Sequence, residues 1–169
     1  MLTLWRLWLV AVLGLLPALA TASSEAPQLL EFEHRNLRSG EVTDLTHLAG
    51  QPVVMMFFEP DCSWCIKQAR ILDKLQQQQH NSFIPVMLGV HGNRLALKRA
   101  LFDLGVSLPA YQASRALERE MGGIPATPIL LVADKQGHYL RYFRGLTTPE
   151  QLIPLLSSTA KPELAGLQQ

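Results

Sequence analysis

The run "PVVMMFF", Pro52 to Phe58, constrains the fold more than any other segment. It is apolar without interruption, and a strand of that kind has no face to offer water. It must lie inside a sheet covered on both sides, which points to an α/β chain with helices on both faces. Pro60 stops the run, and the period then changes. Cys65, Ala69, Leu72 and Leu75 recur at helical spacing, with Lys67, Arg70 and Lys74 on another face. A buried strand thus runs into a helix, and the chain's two cysteines, Cys62 and Cys65, sit at the junction.

The rest of the chain repeats this alternation. "FIPVMLGV", Phe83 to Val90, reads as a second buried strand. Asn93 is placed to cap a helix with apolar positions Leu97, Ala100, Leu101 and Leu104, and Gly105 stops it. A loop around Pro109 and a short helix through Leu117 lead to Gly122-Gly123. Strand, turn and strand follow between Pro128 and Gly145, with turn residues from Asp134 to Gly137. Thr148, Pro149 and Gln151 form a helix start of capping-box type, and Pro154 is expected to kink or shorten that helix. Ahead of all this, "LLEFEHRNLRSGEV" (29–42) reads as a hairpin turning at Ser39-Gly40. The expected order is hairpin, β, α, β, α, α, β, β, α: a mixed central sheet in one domain.

Residues 1–22 carry one early charge, Arg6, then an apolar run, then A-x-A patterns ending at Ala20 and Ala22. That is the layout of a signal peptide, and it predicts export. The alternative is an uncleaved anchor, which leaves the domain attached to the inner membrane and facing the periplasm. The domain is assigned to residues 23–156, with 157–169 as a flexible tail. Of 15 basic and 14 acidic residues, only Arg6 lies in the leader, so the exported part is formally neutral. Nothing in that balance recruits nucleic acid.

Export makes a disulfide chemically plausible. A bridge over two intervening residues is nevertheless a poor staple, because the loop it closes is so short. At a helix N-terminus, unpaired N–H groups and the macrodipole favour negative charge, and a thiolate is the reactive form of cysteine. Cys62 is thus placed to attack a disulfide, and Cys65, one turn on, to resolve the mixed species. The competing reading is a copper-handling or other metal-binding module, with Cys62 and Cys65 as ligands and Met55 and Met56 nearby. Against it, His34, His47, His80, His91 and His138 are scattered without metal-ligand spacing and read as surface or loop residues. No metal site and no cofactor is assigned.

The segments "FFEPDCSWCIKQ" and "GGIPATPILLVADKQGHYLRYFRGLTTPEQL" resemble the two signatures of the thioredoxin superfamily, in its exported TlpA-like and DsbC-like branches. The resemblance spans about Glu31 to Leu156. It implies a thioredoxin-like fold and a thiol:disulfide oxidoreductase acting on protein disulfides. It also implies a cis-proline at Pro128, rather than Pro125, with the backbone of Thr127 pairing with substrate. Trp64 is a candidate docking residue. A reductant in this family draws its electrons from a membrane thiol-transfer protein resembling DsbD.

Several positions depart from the family pattern. Met56 stands where thioredoxin has a buried acid, which leaves Glu59 as the candidate proton acceptor for Cys65. Gln68 replaces a TlpA-like glutamate, and Ala126 replaces the usual glycine. Ser63-Trp64 lacks the Pro-His of strong oxidants, which favours a reductase or isomerase. With no separate dimerisation domain in view, the expectation is a monomer.

Overall fold

The computed structural model describes residues 26–79 and 82–157. The signal-peptide assignment therefore lies outside the described residues, as do His80 and all of the tail except Ser157. In chain order the elements are β1 (His34–Asn36), β2 (Val42–Thr43), β3 (Val53–Phe58), α1 (Ser63–Gln78), β4 (Ile84–Gly89) and α2 (Arg94–Leu104). They continue as β5 (Ala110–Gln112), α3 (Arg115–Glu120), β6 (Ile129–Ala133), β7 (Tyr139–Arg144) and α4 (Pro149–Ser157). One mixed sheet holds the strands in the order β2-β1-β5-β4-β3-β6-β7. Strands β3, β4 and β5 run parallel, and β6 lies antiparallel against β3.

All six residues of β3 are fully buried, as its composition requires. Val54, Met56 and Phe58 point into a core layer shared with α1, α2 and α4. Val53, Met55 and Phe57 point into the opposite layer, which α3 and the N-terminal segment cover. The period of two thus divides one apolar run between two cores. Each large side chain so buried contributes about 1.5–3 kcal/mol.

Local chemistry sets the helix ends. Asn93 caps α2 by accepting from the Ala96 N–H at 3.0 Å, and Gly105 ends it in the left-handed region at φ 68°. The Thr148 N–H donates to Gln151 Oε1 at 2.9 Å, the return half of the expected capping box. Pro154 lies inside α4, which nevertheless continues to Ser157.

Two details differ from the sequence reading. Residues Leu29–Glu31 form a 3-10 turn rather than strand, so the hairpin begins only at His34. Strand β5 falls where a loop was expected around Pro109. Three residues are too few to display alternation, yet this strand joins the hairpin to the rest of the sheet.

Candidate active site

Strand registers assemble the site. Antiparallel pairing sets Phe57 opposite Ile129, so the chain just before β6 lies beside the chain just after β3. Parallel pairing sets Phe58 opposite Gly89, which brings the loop after β4 to the same end of the sheet. Glu59, Cys62, His91 and Thr127 converge there from three separate segments.

Cys62 is the N-cap of α1, and the Cys65 N–H points at its sulfur from 3.1 Å. The two cysteines are joined as a disulfide, with Cα atoms 5.2 Å apart. Their environments differ sharply. Cys62 is partly exposed, whereas Cys65 is fully buried and shares its core layer with Met56. The first sulfur is therefore the one within reach of another protein. A cleft of about 440 Å³ opens beside it, with Ile66 and Leu104 among its apolar lining and Glu59, Asp61 and Asp103 as its carboxylates.

The peptide bond between Thr127 and Pro128 is cis. The Thr127 hydroxyl lies 2.7 Å from Glu59 Oε1 and 3.3 Å from Cys62 Sγ. The other carboxylate oxygen, Glu59 Oε2, meets His91 Nδ1 at 2.6 Å. Burial acts to raise the Glu59 pKa, but the hydrogen bonds from His91 and Thr127 outweigh it and hold the carboxyl below its ordinary range. Glu59, expected to serve Cys65, thus connects through Thr127 to Cys62. Trp64 is 53 % exposed on the first turn of α1, and Lys67 Nζ sits 4.1 Å from the centre of its ring.

Three features escaped the sequence reading. His91 is an exposed loop residue, as its spacing suggests, but it is also a direct partner of Glu59. His34, expected at the surface or in a loop as well, is 1 % exposed inside the sheet. Gln68 is fully buried and clamps the loop before α4: the Thr147 N–H donates to its Oε1 at 2.6 Å, and its Nε2 donates to the Thr147 carbonyl at 3.2 Å. Two backbone groups of one residue are satisfied by one amide. A glutamate, lacking the N–H₂, cannot match both partners when ionised.

A profile of the thioredoxin-like domain matches residues 41–160. The chain belongs to this family. The thioredoxin-like fold read from the two signatures is the fold observed. No curated relative matches the sequence. Among solved structures, the chain is similar to a thiol:disulfide interchange protein of the thioredoxin family from Chlorobium tepidum, at 19 % identity, TM-score 0.65, and 80 % and 97 % coverage of the two chains. DsbF of MTB, in mixed oxidized and reduced forms, matches at 19 % identity and TM-score 0.65, covering 78 % of this chain and 97 % of that one. A DsbF homologue from Corynebacterium diphtheriae matches at 22 % identity and TM-score 0.62, with 79 % and 87 % covered. At such identities the likeness speaks for the fold. Among the described residues, no helix is long and apolar enough to cross a membrane.

Proposed function

We propose that this thioredoxin-like protein is a periplasmic thiol:disulfide oxidoreductase, acting as a reductase or isomerase on protein disulfides. The observation that carries the reading is the asymmetry of the pair: Cys62 partly exposed at a helix N-terminus, Cys65 buried directly behind it. The thiol:disulfide interchange proteins that share its fold are consistent with this chemistry.

In the reduced protein the Cys62 thiolate attacks one sulfur of a substrate disulfide. A Cys62–substrate bond forms, and the other substrate sulfur leaves as a thiolate and takes up a proton. Cys65 then loses its proton and attacks Cys62 Sγ. The intramolecular disulfide forms, the second substrate sulfur leaves, and two electrons have passed to the substrate. Regeneration needs an external dithiol, for which a DsbD-like membrane protein is the proposed source. The main chain of Thr127, next to Pro128, pairs with the substrate chain, and Trp64 supplies an apolar contact at the rim. The protein works as a monomer, released into the periplasm by cleavage after residues 1–22; N-terminal sequencing of the secreted form tests that assignment.

Insulin reduction tests the chemistry. Cys62→Ser is expected to abolish it, and Cys65→Ser to accumulate mixed disulfides whose partners identify the substrates. Turnover that survives Cys62→Ser would sink the reading. The metal-binding alternative gains no specific support: Met55 and Met56 are fully buried on opposite faces of β3.

A further inference from the structure

A hydroxyl has one hydrogen, and at Thr127 two acceptors compete for it. Glu59 Oε1 is 2.7 Å from Thr127 Oγ1 and Cys62 Sγ is 3.3 Å away. The carboxylate is nearer and ionised, so the hydrogen goes to Glu59. Cys62 then faces a lone pair of Thr127 instead of its proton. An ionised carboxylate only accepts, so His91 must donate from Nδ1 to Glu59 Oε2, 2.6 Å away. This leaves Oε1 facing Thr127. His91 is held at φ 55°, a backbone region that non-glycine residues seldom adopt, and its loop abuts the end of β3: the Val90 N–H donates to the Phe58 carbonyl at 2.9 Å.

We propose that His91 and Glu59 are positioning residues that withhold the Thr127 hydrogen from Cys62, keeping the protein on the reducing side. The inference rests on the oxidoreductase reading and adds to it a direction of electron flow. When Cys62 is a thiolate, its charge is supported by the α1 N-terminus, including the Cys65 N–H at 3.1 Å. The missing hydroxyl donor and the carboxylates around it oppose that support. Glu59 comes from the end of β3, Asp61 and Asp103 line the cleft, and His91 is the ring against Glu59. A less stabilised thiolate destabilises the dithiol form relative to the disulfide, which makes the couple a better reductant.

Freeing the hydroxyl should reverse this. In Glu59→Ala the Thr127 O–H can turn to the Cys62 thiolate. The Cys62 titration, followed by thiolate absorbance in a Cys65→Ser background, is expected to fall by about one pH unit, a tenfold gain in thiolate at a given pH below it. The equilibrium of the two-cysteine protein with glutathione is expected to move about tenfold towards the dithiol, about 30 mV for a two-electron couple. Glu59→Gln keeps the shape and weakens the acceptor, and His91→Ala loosens the carboxylate; both should move the two readouts the same way by less. In a Thr127→Val background, Glu59→Ala should lose most of its effect, since no hydroxyl remains to redirect. An unchanged or opposite shift in Glu59→Ala and Glu59→Gln overturns the inference. So does a full-sized shift in the Thr127→Val background, which would make the effect one of charge alone. A wild-type protein that never equilibrates with glutathione would refute the oxidoreductase reading itself, so the two failures are distinguishable.

Discussion

His34 should make the fold acid-sensitive from a pH that lies above the ordinary carboxylate range. Its ring is buried in β1, tilted against Tyr111 with centroids 6.4 Å apart. Nδ1 accepts from the Ser114 N–H at 3.1 Å, so the neutral ring carries its hydrogen on Nε2, which has no partner among the described residues. Protonation would set an N–H at Nδ1 against the Ser114 donor, on the very residue whose side chain caps α3. Burial accordingly lowers the His34 pKa from 6.5 to about 4. The unfolded chain therefore takes up this proton at higher pH than the native state does. The contribution to stability is present in full above pH 6.5 and is lost as pH falls towards 4. At about 1.4 kcal/mol per unit, the loss amounts to roughly 3 kcal/mol. The assay is urea unfolding of oxidised wild type and of His34→Asn at intervals between about pH 7.5 and 4.5. Asparagine can still accept from Ser114 but does not titrate. The stability gap between the two proteins should drift against wild type by roughly 2–3 kcal/mol across that range. A gap that stays constant, or a His34 NMR resonance titrating near 6.5, would refute the argument.

Other substitutions test separate parts of the structure. Gln68→Leu strands the Thr147 N–H and carbonyl in the core, and should cost about 2–4 kcal/mol in urea unfolding at neutral pH. Gly137→Ala places a Cβ at φ 92°, against Gln28 Oε1 and 2.9 Å from Leu30 Cγ; a loss of about 1–3 kcal/mol is expected from thermal unfolding. Trp64→Ala should raise the KM for insulin about fivefold or more if the ring is a docking contact. An unchanged KM would reduce it to a cover for Lys67.

The fold was legible because each decisive signal was local. The unbroken Val53–Phe58 run required two covering layers, and Asn93, Gly105 and Gln151 marked helix ends with side chains that act within a few residues. Cys62 and Cys65 could be placed at the start of a helix for the same reason. What stayed hidden depended on register. His91 meets Glu59 only because Phe58 pairs with Gly89, and Thr127 meets Cys62 only because Phe57 pairs with Ile129. No spacing in one dimension encodes either contact. Gln68 reads as one more polar helical residue until Thr147, 79 positions away, is seen to need both ends of its amide. The burial of His34 is not legible from residue type, since a histidine in a three-residue strand gives no sign that the Tyr111 ring and the Ser114 N–H will meet its ring.

These contacts also change where the redox poise of the site should be sought. The sequence directs attention to Ser63-Trp64, the pair between the cysteines. In the structure both residues are exposed, and the Trp64 ring is engaged by Lys67. The groups that reach the Cys62 sulfur are the Cys65 N–H and the Thr127 hydroxyl. The first belongs to the helix backbone and is present whatever the dipeptide. The second is governed by Glu59, whose position depends on His91 in a third segment. Two proteins with identical C-x-x-C sequences could therefore differ about tenfold in thiol–disulfide equilibrium through these outer residues alone, because one redirected hydrogen bond to a charged sulfur is worth that much.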